Sequence, residues 1–181
     1  MLLLLTVITG LGYPLLMTGI ARLIFPWEAN GSLILDQGRI TGSTLIGQQF
    51  DDPKYFWPRL SATPQFPYNT GASSGSNFGP LSSDLQKAMD ARREALRKAD
   101  PDNKDEIPLD LITSSASGLD PHISPEAADY QVKRVARLQG IPADAVRRLV
   151  ALHTSPRQLG FLGEPVVNVV ALNNSLRSRK P

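Results

Sequence analysis

The stretch S-S-A-S-G-L-D-P-H-I-S-P, residues 114–125, places Ser117, Asp120 and His122 within six positions of each other. A hydroxyl nucleophile, an imidazole base and a carboxylate that orients the base are the groups of an acyl-transfer triad. Triad partners usually come from distant parts of a chain, and a nucleophile elbow reads G-x-S-x-G, which these residues do not match. We therefore expect no catalytic residue in this chain. The alternative is a membrane-anchored hydrolase that uses these three side chains.

The elements on either side explain the same residues as a turn. L-D-L-I-T at 109–113 is typical of a short strand, and a helix with well-marked ends follows the turn. Ser124 suits the N-cap of that helix, Pro125 its first position and Gly140 the position after its end. Asp120 can accept backbone N–H bonds within the turn. The apolar face of the helix is predicted to contain Ala128, Val132, Val135 and Leu138.

Composition excludes several classes of function. The 181 residues include 19 basic and 17 acidic side chains, so a formal net charge of +2 gives little field to steer a nucleic acid. The chain has no cysteine, which excludes disulfides, thiol nucleophiles and cysteine metal ligands. Its two histidines, His122 and His153, are far apart and have no carboxylates at metal-site spacing, so we predict no metal site.

The first 26 residues are the most informative part of the sequence. A largely apolar run extends from Met1 to Phe25, and it contains no charged side chain before Arg22. About 20 apolar residues let a helix cross a bilayer core of roughly 30 Å, so we predict a transmembrane anchor helix over residues 1–26. A signal peptide or a buried core helix is the alternative.

Gly12 and Gly19 lie two helical turns apart on the predicted anchor and face nearly the same way. Because small residues let helices approach closely in a membrane, we predict that this face contacts a partner helix. The positive-inside rule predicts orientation from basic residues beside the span, and Arg22 near its far end is the only charged side chain of the span. Taken alone, this charge pattern leans towards a cytoplasmic C-terminal part.

Residues 27–181 amount to one soluble domain of mixed helices and strands, so the predicted fold class is α+β. Two apolar strands flank a predicted turn at residues 36–38. Asn168 lies within the apolar run V-V-N-V-V, where a buried amide needs hydrogen-bond partners, so we expect it to join strands or loops. The basic residues R-S-R-K-P at 177–181 are predicted to form a frayed tail.

A long segment at residues 56–80 is rich in proline, glycine and aromatic residues. Proline and glycine disfavour regular structure, and a long irregular loop in a compact domain usually has a function. Its G-A-S-S-G-S-N-F-G-P part lacks the lysine of a phosphate-binding loop, so we expect an ordered irregular loop. Aromatic residues often dominate interfaces, but they also pack into cores, and both interpretations stay open here. The predicted partner-contact residues of this segment are Phe56, Trp57, Phe66 and Tyr68.

Several long segments of the chain resemble one known family. They are F-P-W-E-A-N-G-S-L-I at 25–34, L-I-G-Q-Q-F at 45–50, P-Y-N-T-G-A-S-S-G-S-N at 67–77, L-I-T-S-S-A-S-G-L-D at 111–120 and G-E-P-V-V-N-V-V-A-L-N at 163–173. Together they resemble KdpC, the C subunit family of the bacterial Kdp high-affinity potassium-transporting P-type ATPase complex. The resemblance covers nearly the whole chain. Family members usually carry a short basic segment before the span, whereas here Leu2 follows Met1.

The resemblance implies a non-catalytic accessory subunit that assembles and stabilises an ATP-driven potassium uptake complex. Its implied partners are a channel-like potassium-binding subunit, a P-type ATPase subunit and a small one-span subunit. It implies a single-pass protein of the bacterial inner membrane with a periplasmic, extracytoplasmic domain. The family is also described as a catalytic chaperone that raises the ATPase subunit's affinity for ATP. The L-I-G-Q segment with Gln48 is tied to that role, although a periplasmic domain cannot touch cytoplasmic ATP directly.

Overall fold

A computed structural model describes residues 1–36 and 38–178. These residues belong to two compact units, Met1–Leu45 and Ile46–Pro181. An apolar N-terminal helix is followed by a mixture of helices and strands, which confirms the α+β fold class. The predicted tail runs beyond the described residues from position 179 onward. The two units are divided at residue 45 and do not test the predicted boundary at residue 26 between a membrane anchor and a soluble domain. That boundary stays a prediction.

The N-terminal unit begins with an apolar helix, Leu2–Ile24, that is long enough to cross a membrane. It consists of α1 (Leu2–Val7), a π-helical turn (Ile8–Gly12) and α2 (Tyr13–Ile24). Pro14 lies next to the π-helical turn, and it has no N–H to donate to the carbonyl four residues earlier. Interruptions of this kind are tolerated in membrane helices because neighbouring groups satisfy the freed backbone.

A short helix and a β-hairpin complete this unit. The helix α3 (Pro26–Ala29) precedes the antiparallel strands β1 (Leu33–Asp36) and β2 (Arg39–Ser43). The strands confirm the predicted pairing, with a register shift between Ile34 and Leu35. Gln37, at the centre of the predicted turn, lies outside the described residues.

The second unit contains five helices and three short strands among the described residues. The helices are α4 (Ser83–Ala99), α5 (Leu109–Ile112), α6 (Pro125–Gln139), α7 (Ala143–Leu152) and α8 (Val169–Arg177). The strands are β3 (His122–Ile123), β4 (Thr154–Ser155) and β5 (Val166–Asn168), and they form an antiparallel sheet in the order β3-β5-β4. The buried core includes Phe56, Leu111, Val135, Val146, Val167 and Leu172.

The predicted ends of α6 are confirmed. The Ser124 hydroxyl accepts the Ala127 N–H at 3.0 Å, and Gly140 takes the left-handed conformation that ends many helices, with φ at +68°. The apolar face is right for three of its four predicted residues. Leu138 is the exception, because it is exposed in the last turn of the helix, beyond the core.

The predicted strand at 109–113 is wrong, because residues Leu109–Ile112 form the short helix α5. Leu111 and Ile112 are adjacent and both buried, an arrangement that a strand with one buried face does not allow. The Thr113 hydroxyl donates to the Leu109 carbonyl at 2.9 Å and closes the turn. Alternating apolar letters over so short a run do not distinguish a strand from one helical turn.

Candidate functional site

Three segments with little regular structure meet in the second unit, at residues 46–50, 59–76 and 113–121. We call them the loop cluster. The Gly47 N–H donates to the Leu119 carbonyl at 2.8 Å. The segments 59–76 and 113–121 are joined by a parallel bridge between Leu60 and Ser114. The stretch that could resemble a triad is therefore part of a larger arrangement of loops.

Hydroxyl groups and backbone amides hold the loop cluster together. The Ser61 hydroxyl donates to the Gly118 carbonyl at 2.7 Å and accepts the Tyr68 N–H at 2.9 Å. The Ser74 N–H donates to the Ser117 carbonyl at 3.0 Å. These bonds satisfy backbone groups that would otherwise be unpaired inside an irregular structure.

Two glycines allow the segments to approach more closely than any other residue would. Gly118 has a φ of +67°, and a Cβ there would lie 2.6 Å from Thr63 Cγ2 and 2.7 Å from the Ser74 carbonyl oxygen. At Gly47, a Cβ would lie 2.2 Å from a ring carbon of Tyr68. Both positions therefore require glycine.

An ion pair lies between two of the segments. Arg59 Nη1 is 3.4 Å from Asp120 Oδ2, and Arg59 Nη2 donates to the Ser114 carbonyl at 3.2 Å. Burial acts to raise the pKa of Asp120, but hydrogen bonds from His122 and the Arg59 charge outweigh it and lower that pKa. The Tyr68 hydroxyl donates to the Arg59 carbonyl at 2.8 Å, and burial raises the pKa of Tyr68. The charged groups of Arg59 and Asp120 therefore join neighbouring loops to each other.

The structure joins two of the three triad-like residues and not the third. Asp120 Oδ1 accepts the His122 N–H at 2.9 Å and lies 3.3 Å from His122 Nδ1. The Ser117 hydroxyl instead accepts the Leu119 N–H at 3.1 Å. Within residues 1–36 and 38–178, no hydrogen bond joins Ser117 to His122. The side chains thus form the turn predicted from the sequence, and this geometry gives the hydrolase alternative no support.

The glycine-rich segment at 71–80 is ordered by its own contacts. The Gly71 N–H donates to Asn69 Oδ1 at 3.0 Å, and the Ala72 N–H donates to the Asn69 carbonyl at 3.1 Å. The Ser114 and Ser76 hydroxyls lie 2.9 Å apart. The N–H groups of Gly71 and Ala72, which could help to cradle an anion in a phosphate-binding loop, are thus used inside the domain.

The four aromatic residues predicted to contact partners lie in two different environments. Phe56, Trp57 and Tyr68 are buried in the domain, which favours the core interpretation for these three. Phe66 is 56% exposed and stays a candidate for partner contact.

Two arginines lie over the ring of Trp57. The guanidinium carbons of Arg92 and Arg134 lie 4.8 and 5.1 Å from its ring centroid. Arg134 is buried and donates to Gln131 Oε1 at 2.6 Å, to the Tyr55 carbonyl at 3.1 Å and also to the Pro53 carbonyl. Burial lowers the pKa of Arg134 to about 10.

Two buried amides fix the backbone on which these aromatics stand. Asn173 accepts the Phe56 N–H and donates to the Phe56 carbonyl, each at 2.9 Å. Gln131 accepts the Trp57 N–H at 2.8 Å and donates to the Trp57 carbonyl at 3.2 Å.

The sequence analysis missed Gln131, Arg134 and Asn173 as structural residues. A signal was present for the first two, because they continue the buried line of α6 from Ala127 at helical spacing. Asn168, which the sequence did single out, caps α8 by accepting the Ala171 N–H at 2.9 Å.

The remaining predicted residues are placed as follows. Gln48 is half-buried and directly follows Gly47 in the loop cluster. Gly12 is the last residue of the π-helical turn and the N-cap of α2, and Gly19 lies within α2, so a regular helix separates them. Among the described residues, no side-chain atom lies within 4 Å of the Cβ position at either glycine. Within the described ranges, no group of three His, Cys, Asp or Glu residues could hold a metal ion.

Comparison with known proteins identifies the family. The family model described as KdpC, K+-transporting ATPase, c chain, matches residues 1–178. Proteins named potassium-transporting ATPase KdpC subunit are similar over nearly their whole lengths. The Herpetosiphon aurantiacus protein is 59% identical over 94% of this chain and 89% of its own. The Dechloromonas aromatica protein is 60% identical over 97% and 92%, and the Geobacter sulfurreducens protein is 56% identical over 100% and 95%.

These matches define the class as a subunit of a membrane potassium-transport complex that uses ATP. The chain belongs to the KdpC family, the c chain of the K+-transporting ATPase, and the resemblance seen in its sequence is confirmed. Other Kdp subunits are therefore implied as its partners.

Proposed function

We propose that the chain is a non-catalytic subunit that assembles and stabilises the potassium-transporting complex. The observation that carries the proposal is the loop cluster, in which groups capable of chemistry are engaged in holding loops together. Asp120 joins Arg59 and the His122 N–H, and the Ser117 hydroxyl binds within its own turn. Among the described residues, the three triad-like side chains are engaged in holding their turn and its neighbours, which suits a scaffold.

The proposed partners are a channel-like potassium-binding subunit, a P-type ATPase subunit and a small one-span subunit. Leu2–Ile24 is the proposed single span, with Gly12 and Gly19 on a face that packs against a partner helix. The second unit is proposed to lie on the periplasmic side of the inner membrane, where the exposed Phe66 contacts a partner.

An effect on ATP affinity is proposed to be coupled through the complex and not made by contact with the nucleotide. Gln48 follows a glycine held by the Leu119 carbonyl and packed against Tyr68, so it belongs to a fixed segment of the domain. Allosteric coupling of this kind requires that the ATPase subunit has two states with different ATP affinity, and that this segment favours the state that binds ATP more tightly.

The test is the potassium-stimulated ATPase activity of the purified complex, with and without this subunit, over a range of ATP concentrations. If the complex stays intact by size and its apparent KM for ATP rises without the subunit, coupling is supported. If the complex falls apart, the subunit is a structural clamp and the chaperone role loses its support. A complex that keeps its size, activity and KM without the chain would overturn both proposals.

A matched pair of variants refines the test. Gln48→Ala should raise the apparent KM for ATP, whereas Gln49→Ala, an adjacent and exposed residue bonded to Asp51, should leave it unchanged. If the two variants had the same apparent KM for ATP, Gln48 would have no specific role in the effect on ATP affinity.

A further inference from the structure

A small hairpin at residues 157–164 is fastened by its own contacts. Gln158 and Leu162 exchange both backbone hydrogen bonds, each at 2.9 Å. The Arg157 guanidinium pairs with the Glu164 carboxylate across the base of the hairpin. The hairpin therefore presents its tip in a defined shape.

The tip carries apolar side chains that face solvent. Leu159 is 83% exposed and Phe161 is 68% exposed, and Leu162 beside them is also exposed. Leu159 has a φ of +53°, which is rare for a bulky residue. Adjacent exposed apolar residues at a shaped tip are typical of an interaction surface, whereas scattered single ones need no explanation.

We propose that this hairpin is an anchor that inserts Leu159 and Phe161 into an apolar pocket of another subunit of the potassium-transporting complex. The proposal rests on the assembly role given above and names a contact surface for it. A tip whose backbone is already held in shape loses less conformational freedom when a partner buries it than a flexible loop would.

The charges of the hairpin favour a protein pocket over a lipid surface. Arg157 and Glu164 are its only charged residues, and they neutralise each other. Segments that bind anionic membranes at the interface carry clusters of basic residues beside their apolar side chains. The hairpin has no such cluster, so an uncharged protein pocket matches it better than a lipid surface does. The family's place in a multi-subunit ATPase supplies candidate partner proteins.

The deciding experiment is photo-crosslinking in native membranes that contain the whole complex. A benzophenone amino acid replaces Phe161 in one variant and Leu81 in a control, because Leu81 is an apolar residue of the same unit that is 98% exposed. We expect an adduct between position 161 and another subunit, identified by mass spectrometry, and none from position 81. An adduct with lipid alone, equal adducts from both positions, or no adduct from position 161 would overturn the proposal.

A pair of double variants measures the contribution of the tip to assembly. Leu159→Ser with Phe161→Ser should lower retention of this chain on a tagged partner subunit at least tenfold after washing. Leu81→Ser with Leu152→Ser, which also alters two exposed leucines, should leave retention unchanged. Unfolding temperatures of all chains are measured alongside, and retention equal to the natural chain's in a folded tip variant would contradict the proposal.

The two proposals fail in distinguishable ways. If the natural chain is not retained by the other subunits, the assembly role fails. If the natural chain is retained while position 161 forms no protein adduct, the assembly role stands and only the hairpin proposal fails.

Discussion

The loop cluster and the hairpin at 157–164 are both irregular and both contain glycines in the left-handed conformation, yet they are built in opposite ways. Hydrogen bonds of the loop cluster reach across the chain, as in the bond between Ser61 and Gly118, 57 residues apart. Those of the hairpin join Gln158 to Leu162, four residues apart. The hydrogen bonds of the cluster are made mainly between its own three segments, whereas the hairpin exposes the apolar side chains of Leu159 and Phe161.

The difference shows that the destination of the hydrogen bonds decides what an irregular segment does. A loop bonded to distant residues becomes part of the cooperative core, so a perturbation there affects the stability of the whole domain. A loop bonded only to itself can be altered with little effect on the fold, and its exposed side chains are available to a partner. Four predictions test this contrast, starting with the largest expected effect.

Arg134→Ala should destabilise the second unit most. The change leaves the buried carbonyl of Tyr55 and the part-buried carbonyl of Pro53 without their Arg134 donor, and it opens a space beside Trp57. Buried unsatisfied groups cost about 1–3 kcal/mol each, so we expect the free energy of unfolding to fall by about 4 kcal/mol. Urea unfolding of the full chain in detergent, followed by circular dichroism, measures it. Arg148→Ala, at an exposed position of α7, should change it by no more than about 0.5 kcal/mol.

Gly118→Ala should have the next largest effect. Its Cβ would collide with Thr63 and with the backbone of Ser74, and its φ of +67° is strained for alanine. Overpacking and strain together are expected to cost about 2–3 kcal/mol. Gly79→Ala is the matched control, since no atom of the described part of the chain lies within 4 Å of its Cβ position. Similar unfolding midpoints for the two variants would show that the cluster is not closely packed at Gly118.

Asp120→Asn should have a smaller effect that depends on pH. The folded pKa of Asp120 lies below its ordinary value of 3.8, so the unfolded chain binds the proton more readily. The stabilisation is therefore fully present above pH 3.8 and is lost as the pH falls through the lower folded value. We expect the variant to be less stable by about 1 kcal/mol at neutral pH, and the gap to close in acid. A gap that is constant with pH would contradict the ionic role.

Leu159→Gly should have the smallest effect on folding. Glycine tolerates the φ of +53°, and its greater freedom in the unfolded chain offsets the relief, so we expect a change within about 0.5 kcal/mol. Leu159→Ala keeps the strain and should be no more stable than the glycine variant. If either variant lowered the free energy of unfolding by several kcal/mol, the hairpin would belong to the core and would not differ from the loop cluster in this respect.

The sequence predicted the parts of the fold that depend on local chemistry. Ser124, Pro125 and Gly140 marked the ends of α6 because capping is decided by neighbouring residues. The strand predicted at 109–113 failed because one turn of helix and a short strand look alike in so few letters.

The candidate site was only partly predictable for a related reason. Residues 56–80 were singled out by composition, but whether an aromatic residue is buried depends on partners far away in the chain. The sequence could not show that Asn173 meets Phe56 or that Arg134 lies over Trp57. The function was predicted from the family resemblance, because the matching segments extend over nearly the whole chain.

The bond between Phe56 and Asn173 also has a consequence for the order of events in folding. The two residues are 117 positions apart, so the backbone of Phe56 stays incompletely paired until α8 is in place. Closing so long a loop costs entropy before any contact repays it, which slows the step. We therefore expect α8 to dock late in folding. The backbone around Phe56 should then be among the last parts of the unit to become protected from hydrogen exchange.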